Sequence, residues 1–262
     1  MLPIDLTVPL DNLKLVTKTQ SYQFGRRLYS FQSLGEMYWL KYHEANTDPE
    51  IECAFHREIQ FYQNVKFADD LLPYQIIEFE KFPSFSDLQS SGLGLILVDT
   101  YPFLQRKQTV TCVGIRQKIE KILDVLESLH QAGWIHGDLK AEHFRLYENT
   151  CRLIDFEQAM QQGHSSKKLT ATPHYMAPEL FQGAAKSIQS DLYALGIVLF
   201  EWLTQTKLQA TTYYDWAMLH CQKFQLRLPV ELQYLMPLLC GLLEKRIERR
   251  FSSIVEVRNC LY

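Results

Sequence analysis

No stretch of this chain is long and apolar enough to suggest a membrane span. The longest apolar run, residues 192–203, is too short to cross a bilayer and ends in polar residues. The opening Met1-Leu2-Pro3-Ile4-Asp5 has no basic region followed by an apolar run, so it does not read as a secretory signal. Basic residues are not in excess: 27 Lys and Arg against 30 Asp and Glu give a formal net charge of -3. Nothing in this balance favours a nucleic-acid footprint, which needs a basic surface stripe. The 6 cysteines (Cys53, Cys112, Cys151, Cys221, Cys240 and Cys260) include no C-x-x-C pair and no Cys/His cluster at zinc-finger spacing. That excludes zinc-stapled folds and suits reduced thiols in a cytoplasmic protein. Internal repeats and low-complexity segments are absent too. What remains is ordinary globular composition, 47% hydrophobic and 22% charged over 262 residues. That is enough for one large domain or two lobes sharing a cleft.

Periodicity divides the chain into a strand-rich first third and a helical remainder. Residues 22–31 and 36–42 carry aromatic and apolar side chains interrupted at Gly35, which predicts a twisted antiparallel pair. Residues 51–67 set Phe55, Ile59, Tyr62 and Lys66 at three-to-four spacing, which predicts a helix. Residues 93–98 form a short apolar run after Gly92, a buried strand, and a change of lobe is expected near residues 99–102. Further on, Ile115, Ile119, Ile122, Leu123, Leu126 and Leu129 share one face of a long amphipathic helix that Gly133 ends. Residues 152–155 predict a short strand. Residues 192–203, apolar all round, predict a helix buried in the core.

Three short motifs carry the chemistry: His136-Gly137-Asp138-Leu139-Lys140, Ile154-Asp155-Phe156-Glu157, and Thr172-Pro173-His174-Tyr175-Met176-Ala177-Pro178-Glu179. A carboxylate in a loop, such as Asp138, can orient a hydroxyl and accept its proton. Lys140, two residues on, can set a positive charge beside a developing anion. Asp155, at the end of a strand, offers hard oxygen ligands to Mg²⁺, and Phe156 is expected to pack into the core and fix it. Each has a plainer reading: Asp138 and Lys140 as solvated charges in a turn, Asp155 as a strand cap. The order and spacing of all three favour the chemical one.

In that order the motifs resemble the catalytic half of the eukaryotic-like Ser/Thr protein kinase family, and the resemblance covers nearly the whole chain, from about residue 14 to 262. It implies an α+β, bilobal protein-kinase-like fold formed by a single domain over residues 1–262. A small antiparallel β-sheet lobe with one helix would take about residues 1–99, and a larger, mostly α-helical lobe about residues 100–262. It implies ATP and Mg²⁺ as cofactors and a protein Ser or Thr hydroxyl as acceptor. Asp138 and Lys140 match the catalytic-loop pair, and Asp155 the magnesium aspartate. Lys41 resembles the strand lysine that binds the α- and β-phosphates. Glu58 resembles its helical ion-pair partner, with Glu52 the competing candidate. Gly25 stands where the glycine-rich loop should be. Thr172 matches the threonine that touches the catalytic aspartate and lysine in Ser/Thr kinases. Glu179 and Arg250 match a buried ion pair, and Asp191 the helix aspartate that accepts backbone hydrogen bonds from the catalytic loop. Ordinary surface charges for Lys41 and Glu58, and a simple turn for Thr172, are the plainer alternatives. Ser165, Ser166 and Thr170 offer hydroxyls for phosphorylation, as any loop of this composition would.

The chain departs from the family's pattern in ways that bear on activity. Only Gly25 remains of a G-x-G-x-x-G loop, so fewer backbone N–H groups can approach phosphates closely, and Arg26 or Arg27 either clamps phosphate instead or is solvated. Glu157 replaces the glycine of D-F-G and adds a carboxylate near the metal site. His143 replaces the asparagine that binds the second Mg²⁺. Imidazole suits Mn²⁺ better, which predicts one strong metal site with Mn²⁺ preferred. Gly137 replaces the arginine that pairs with a phosphorylated activation loop, implying activity that does not wait for that phosphorylation. An ATP-dependent protein Ser/Thr kinase is the leading reading. The alternatives are a pseudokinase acting as a scaffold and a small-molecule kinase with an H-G-D loop.

Overall fold

The computed structural model describes residues 2, 4, 6–7, 10–82, 85, 92–105, 111–164 and 171–261, except the side chains of Asp11 and Ala68. Ser165, Ser166 and Thr170 lie outside the described residues. The chain folds as two compact units. One comprises Met1–Tyr101 together with Ile154–Glu157, the other Pro102–Leu153 with Gln158–Tyr262.

The first unit is built on a five-stranded antiparallel sheet of β1 (Asp11–Leu15), β2 (Arg26–Ser33), β3 (Glu36–His43), β4 (Tyr74–Glu78) and β5 (Leu93–Val98), in the order β1-β2-β3-β5-β4. A two-residue turn closes β2 on β3, with Leu34 at φ 49° and Gly35 at φ 85°. Two positive φ values match the right-handed twist of the strands, which is why a short hairpin forms here. Alternation along β3 buries Tyr38, Leu40 and Tyr42 on one face. There Phe31 stacks on Tyr38 and Tyr42 meets Phe79 edge-on. The same alternation sends Lys41 to the opposite face.

The predicted strand over residues 22–31 starts later than expected. Residues 19–22 form a helical turn, α1 (Thr19–Tyr22), and β2 begins only at Arg26. Local hydrogen bonds within residues 18–25, Tyr22 N–H to Lys18 O and Gly25 N–H to Tyr22 O among them, replace the ladder there. The predicted helix over residues 51–67 is α2 (Pro49–Asn64). Asp48 caps it by accepting from the Glu50 and Ile51 amides, and Pro49 sits at the first turn, where its missing N–H costs nothing. Val65 is extended, so Lys66 lies beyond the helix.

A two-residue strand, β6 (Tyr101–Pro102), falls at the boundary between the two stretches of chain. The second unit is mostly helical. Its long helix α3 (Cys112–Gln131) buries Ile115, Ile119, Ile122, Leu123, Leu126 and Leu129, and Gly133 follows it at φ 81°. Short strands come next: β7 (Trp134–Ile135), the hairpin of β8 (Phe144–Tyr147) and β9 (Thr150–Leu153), and β10 (Met160–Gln161), which pairs with β7. The strand expected at residues 152–155 thus ends at Leu153. After α4 (Pro178–Phe181), helix α5 (Ile188–Thr204) buries every residue from Ser190 to Trp202. Ser187 and Ser190 cap it reciprocally, each side chain accepting the other's amide hydrogen. Further α-helices among the described residues of this unit are α6 (Tyr213–Met218), α7 (Met236–Leu242) and α8 (Ile254–Leu261).

Candidate active site

The residues singled out in the sequence form two groups, one in each unit. In the first unit, Lys41 on β3 is the hub. Its Nζ lies 2.6 Å from Glu58 Oε2, 3.0 Å from Asp155 Oδ1 and 2.8 Å from Glu157 Oε1. Glu58, on the buried face of α2, is fully shielded from solvent. Its second oxygen accepts the Phe156 amide hydrogen at 2.9 Å. Glu52 therefore does not take Glu58's place beside Lys41. Phe156 is fully buried, stacked on Phe61 at 3.9 Å between centroids and edge-on to Tyr62. One turn of α2 thus supplies both the carboxylate and the aromatic pair that hold residues 155–157. Asp155 itself adopts a left-handed backbone, φ 67°, which Asp tolerates better than most residues.

Burial alone would lower the Lys41 pKa, but Asp155, Glu157 and Glu58 together hold it well above its ordinary value. Lys41 is a permanent cation here. Glu58 is pushed up to about 7, chiefly by burial, with Asp155 and Glu157 raising it further and Lys41 opposing. The carboxylate oxygens of Glu58, Asp155 and Glu157 lie within 4.8 Å of one another. Such an all-oxygen donor set fits a hard divalent cation such as Mg²⁺ or Mn²⁺.

Glu157 is engaged on both oxygens and at its backbone. Oε2 pairs with Arg26 of β2, Oε1 with Lys41, and its carbonyl accepts from Arg57 Nε at 3.3 Å. Arg27 points elsewhere, to Glu44 and the Tyr22 carbonyl. Gly25 is buried, at φ 89°. A Cβ there would overlap Thr47 Oγ1 and come within 2.8 Å of His43 Cε1. Protein atoms, rather than an approaching ligand, are what require a glycine at this position.

In the second unit, Asp138 is held on both oxygens. Oδ2 lies 2.8 Å from Lys140 Nζ, and Oδ1 accepts the Thr172 amide hydrogen at 2.9 Å. The threonine's link to Asp138 therefore runs through its backbone. The loop carrying Asp138 is anchored from below by Asp191, at the start of α5. Its oxygens accept the His136 amide at 2.8 Å, the Gly137 amide at 2.9 Å and His130 Nε2 at 3.1 Å. Burial would raise the Asp191 pKa, but the bonds and charge from His130, with help from His136 and Gly137, bring it below the usual value. Gly137, at φ 76°, has no room for a side chain: a Cβ would stand 2.6 Å from the Gln158 carbonyl oxygen. His143 ends a 3₁₀ turn over Ala141–His143, buried and stacked on His136 at 5.4 Å. Deeper in this unit, Arg250 grips Glu179 with two parallel bonds of 2.7 and 2.8 Å. His130 escaped notice in the sequence, although it follows Leu126 by one helical turn on the buried stripe of α3. A polar residue on that stripe was the available signal.

The sequence matches the protein kinase domain family over residues 32–260, and the chain belongs to that family. Among curated proteins it is similar to the MAP kinase kinase MKK1/SSP32 of Saccharomyces cerevisiae, at 30% identity over 60% of this chain and 31% of the yeast protein. It is also similar to PknB of Lactococcus lactis, described as a probable serine/threonine-protein kinase, at 37% identity over 33% of this chain and 14% of that protein. Protein kinase C eta type of Mus musculus is 24% identical over 74% of this chain and 29% of its own length. The chain thus spans about a third or less of the curated relatives it matches.

Proposed function

We propose that this chain is an ATP-dependent protein kinase that phosphorylates Ser or Thr hydroxyls. The observation that carries the reading is Asp138, bonded to Lys140 on one oxygen and to the Thr172 amide on the other. A carboxylate oriented in this way suits a substrate hydroxyl, whose proton it would accept late in transfer. Lys140 adds positive charge where negative charge develops. In the first unit, Lys41, oriented by Glu58, is the cation for the nucleotide phosphates. Asp155 would hold the divalent metal. Bound there, the metal would neutralise phosphate charge during transfer.

The test is transfer from γ-labelled ATP to a panel of Ser-, Thr- and Tyr-containing peptides, by the wild type and by Asp138→Asn. Wild-type labelling of Ser and Thr peptides, abolished in the variant, supports the reading. Transfer that survives Asp138→Asn would sink it. A second reading, a binding module without catalysis, draws on Glu157, whose carboxylate already occupies Lys41 and Arg26. Absence of transfer in both Mg²⁺ and Mn²⁺ would favour it.

A further inference from the structure

From the ion pairs around Glu157 we infer that Arg26 and Lys41 form a phosphate clamp, and that the Glu157 carboxylate is its built-in competitor. The inference rests on the nucleotide-binding part of the reading above. Leu28 stands opposite Lys41 in the β2–β3 ladder, and Arg26 is two residues from Leu28. Both cations therefore project from the same face of the sheet as a diagonal pair, within reach of one anion. One anion already spans them: Glu157 gives Oε2 to Arg26 and Oε1 to Lys41. A phosphate group presents the same kind of oxygens with more charge, and guanidinium binds phosphate in a bidentate fork.

The parts differ in exposure in a way that suits exchange. The Glu157 side chain is 9% exposed and Lys41 12%, but Arg26 is 35% exposed. An incoming polyanion can reach Arg26 first and then take Lys41. The Glu157 backbone need not move, because its carbonyl is tied to Arg57 Nε. Phe156, buried against Phe61, holds the neighbouring position. A χ rotation of one side chain is enough to vacate the clamp. This accounts for two departures together: Arg26 stands in for lost loop glycines, and Glu157 keeps the two cations neutralised until a polyphosphate arrives. Glu157 is thus a positioning residue that sets nucleotide affinity.

The experiment measures binding of ATP, ADP, adenosine and inorganic tripolyphosphate to the full chain by calorimetry. It compares the wild type with Glu157→Gln, which preserves size, and Glu157→Gly, with thermal melts to verify folding. Removing the carboxylate should tighten ATP and tripolyphosphate by about tenfold or more, the gain expected when a tethered competitor is removed. Adenosine affinity should not change. Adding Arg26→Gln to Glu157→Gln should cancel the gain. If both Glu157 variants bind ATP and tripolyphosphate no tighter than the wild type, the competitor role is wrong. If no adenine compound binds any variant, the nucleotide reading fails separately. Tripolyphosphate then decides the clamp alone: tighter binding in Glu157→Gln supports it, and unchanged or weaker binding overturns it.

Discussion

Glu58 accepts the amide hydrogen of Phe156 at 2.9 Å while its other oxygen lies 2.6 Å from Lys41 Nζ. One buried carboxylate therefore ties a strand lysine to the segment that presents Asp155. Breaking one side of a buried pair usually costs about 3–5 kcal/mol. Glu58→Gln should cost less, about 1–2 kcal/mol, because the group's pKa is already pushed up to about 7 and Gln still accepts from Phe156. Phosphoryl transfer should nonetheless fall steeply, since Lys41 loses its orienting charge. Denaturant unfolding alongside a kinase assay checks both. A large stability loss with normal transfer would refute this account.

Arg250 is expected to be the most costly single truncation in the second unit. Its side chain is fully buried, doubly bonded to Glu179, and also donates to the Gln189 and Glu244 carbonyls. Arg250→Ala leaves the Glu179 carboxylate short of its partner, so stability should drop by about 3–5 kcal/mol. Arg250→Lys should recover only part of this, because an ammonium cannot reproduce the fork. Urea midpoints measure both variants, and equal midpoints for wild type and Arg250→Lys would contradict the argument.

Acid should destabilise the protein through His220. This ring is fully buried, bonded to the Tyr193 hydroxyl at 2.9 Å and stacked on Trp216. Burial lowers its pKa from 6.5 to about 4, with His174 and Lys245 the nearby charged or titratable groups that also act on it. A depressed histidine pKa means the unfolded chain takes up the proton more readily. The contribution is complete above pH 6.5 and is lost as pH falls toward 4, by about 3 kcal/mol in all. His220→Asn keeps a partner for Tyr193 but does not titrate, so its stability should vary less with pH over that window. Parallel pH slopes for the two proteins would rule out His220 as the source.

Gly137→Ala should damage transfer more than folding. The left-handed backbone costs an L-residue roughly 1–2 kcal/mol. The new methyl would also press on the Gln158 carbonyl oxygen from 2.6 Å, shifting the residue next to Asp138. Displacements of that order reduce rates by roughly 10²-fold. Steady-state kinetics would show the loss in kcat, and an unchanged kcat would refute the packing argument.

The metal preference is tested directly. If His143 contributes a ligand, the wild type should work better with Mn²⁺ than with Mg²⁺, and His143→Asn should remove the preference. Equal rates with both metals in both proteins would discard that role for His143.

The helices were legible where one physical signal ran unbroken. The apolar stripe from Ile115 to Leu129 and the all-apolar run at residues 192–203 are α3 and α5, because burial alone dictates both. The grouping of Asp138, Lys140 and Thr172 is implied only by the family resemblance of their two motifs, and nothing local in the sequence shows that Thr172 meets Asp138 through its backbone amide. The start of β2 was not, because bonds within residues 18–25 compete with the ladder and leave no hydropathy trace. The start of α2 was signalled by Asp48-Pro49, a capping pattern that the apolar periodicity does not contain. The pairing of Arg26 with Glu157 could not be read at all: the two lie 131 residues apart, and nothing in local composition links them.

Residues 154–157 belong to the first unit although the chain on either side of them belongs to the second. A fragment cut after Tyr101 would therefore lose Asp155, Phe156 and Glu157, baring the ring of Phe61 and stripping Lys41 of two of its three anions. The sheet unit is not a cassette that recombination or proteolysis could lift out intact. Any chimera that exchanges it must carry this short inset along, or Lys41 will arrive without two of the carboxylates that surround it.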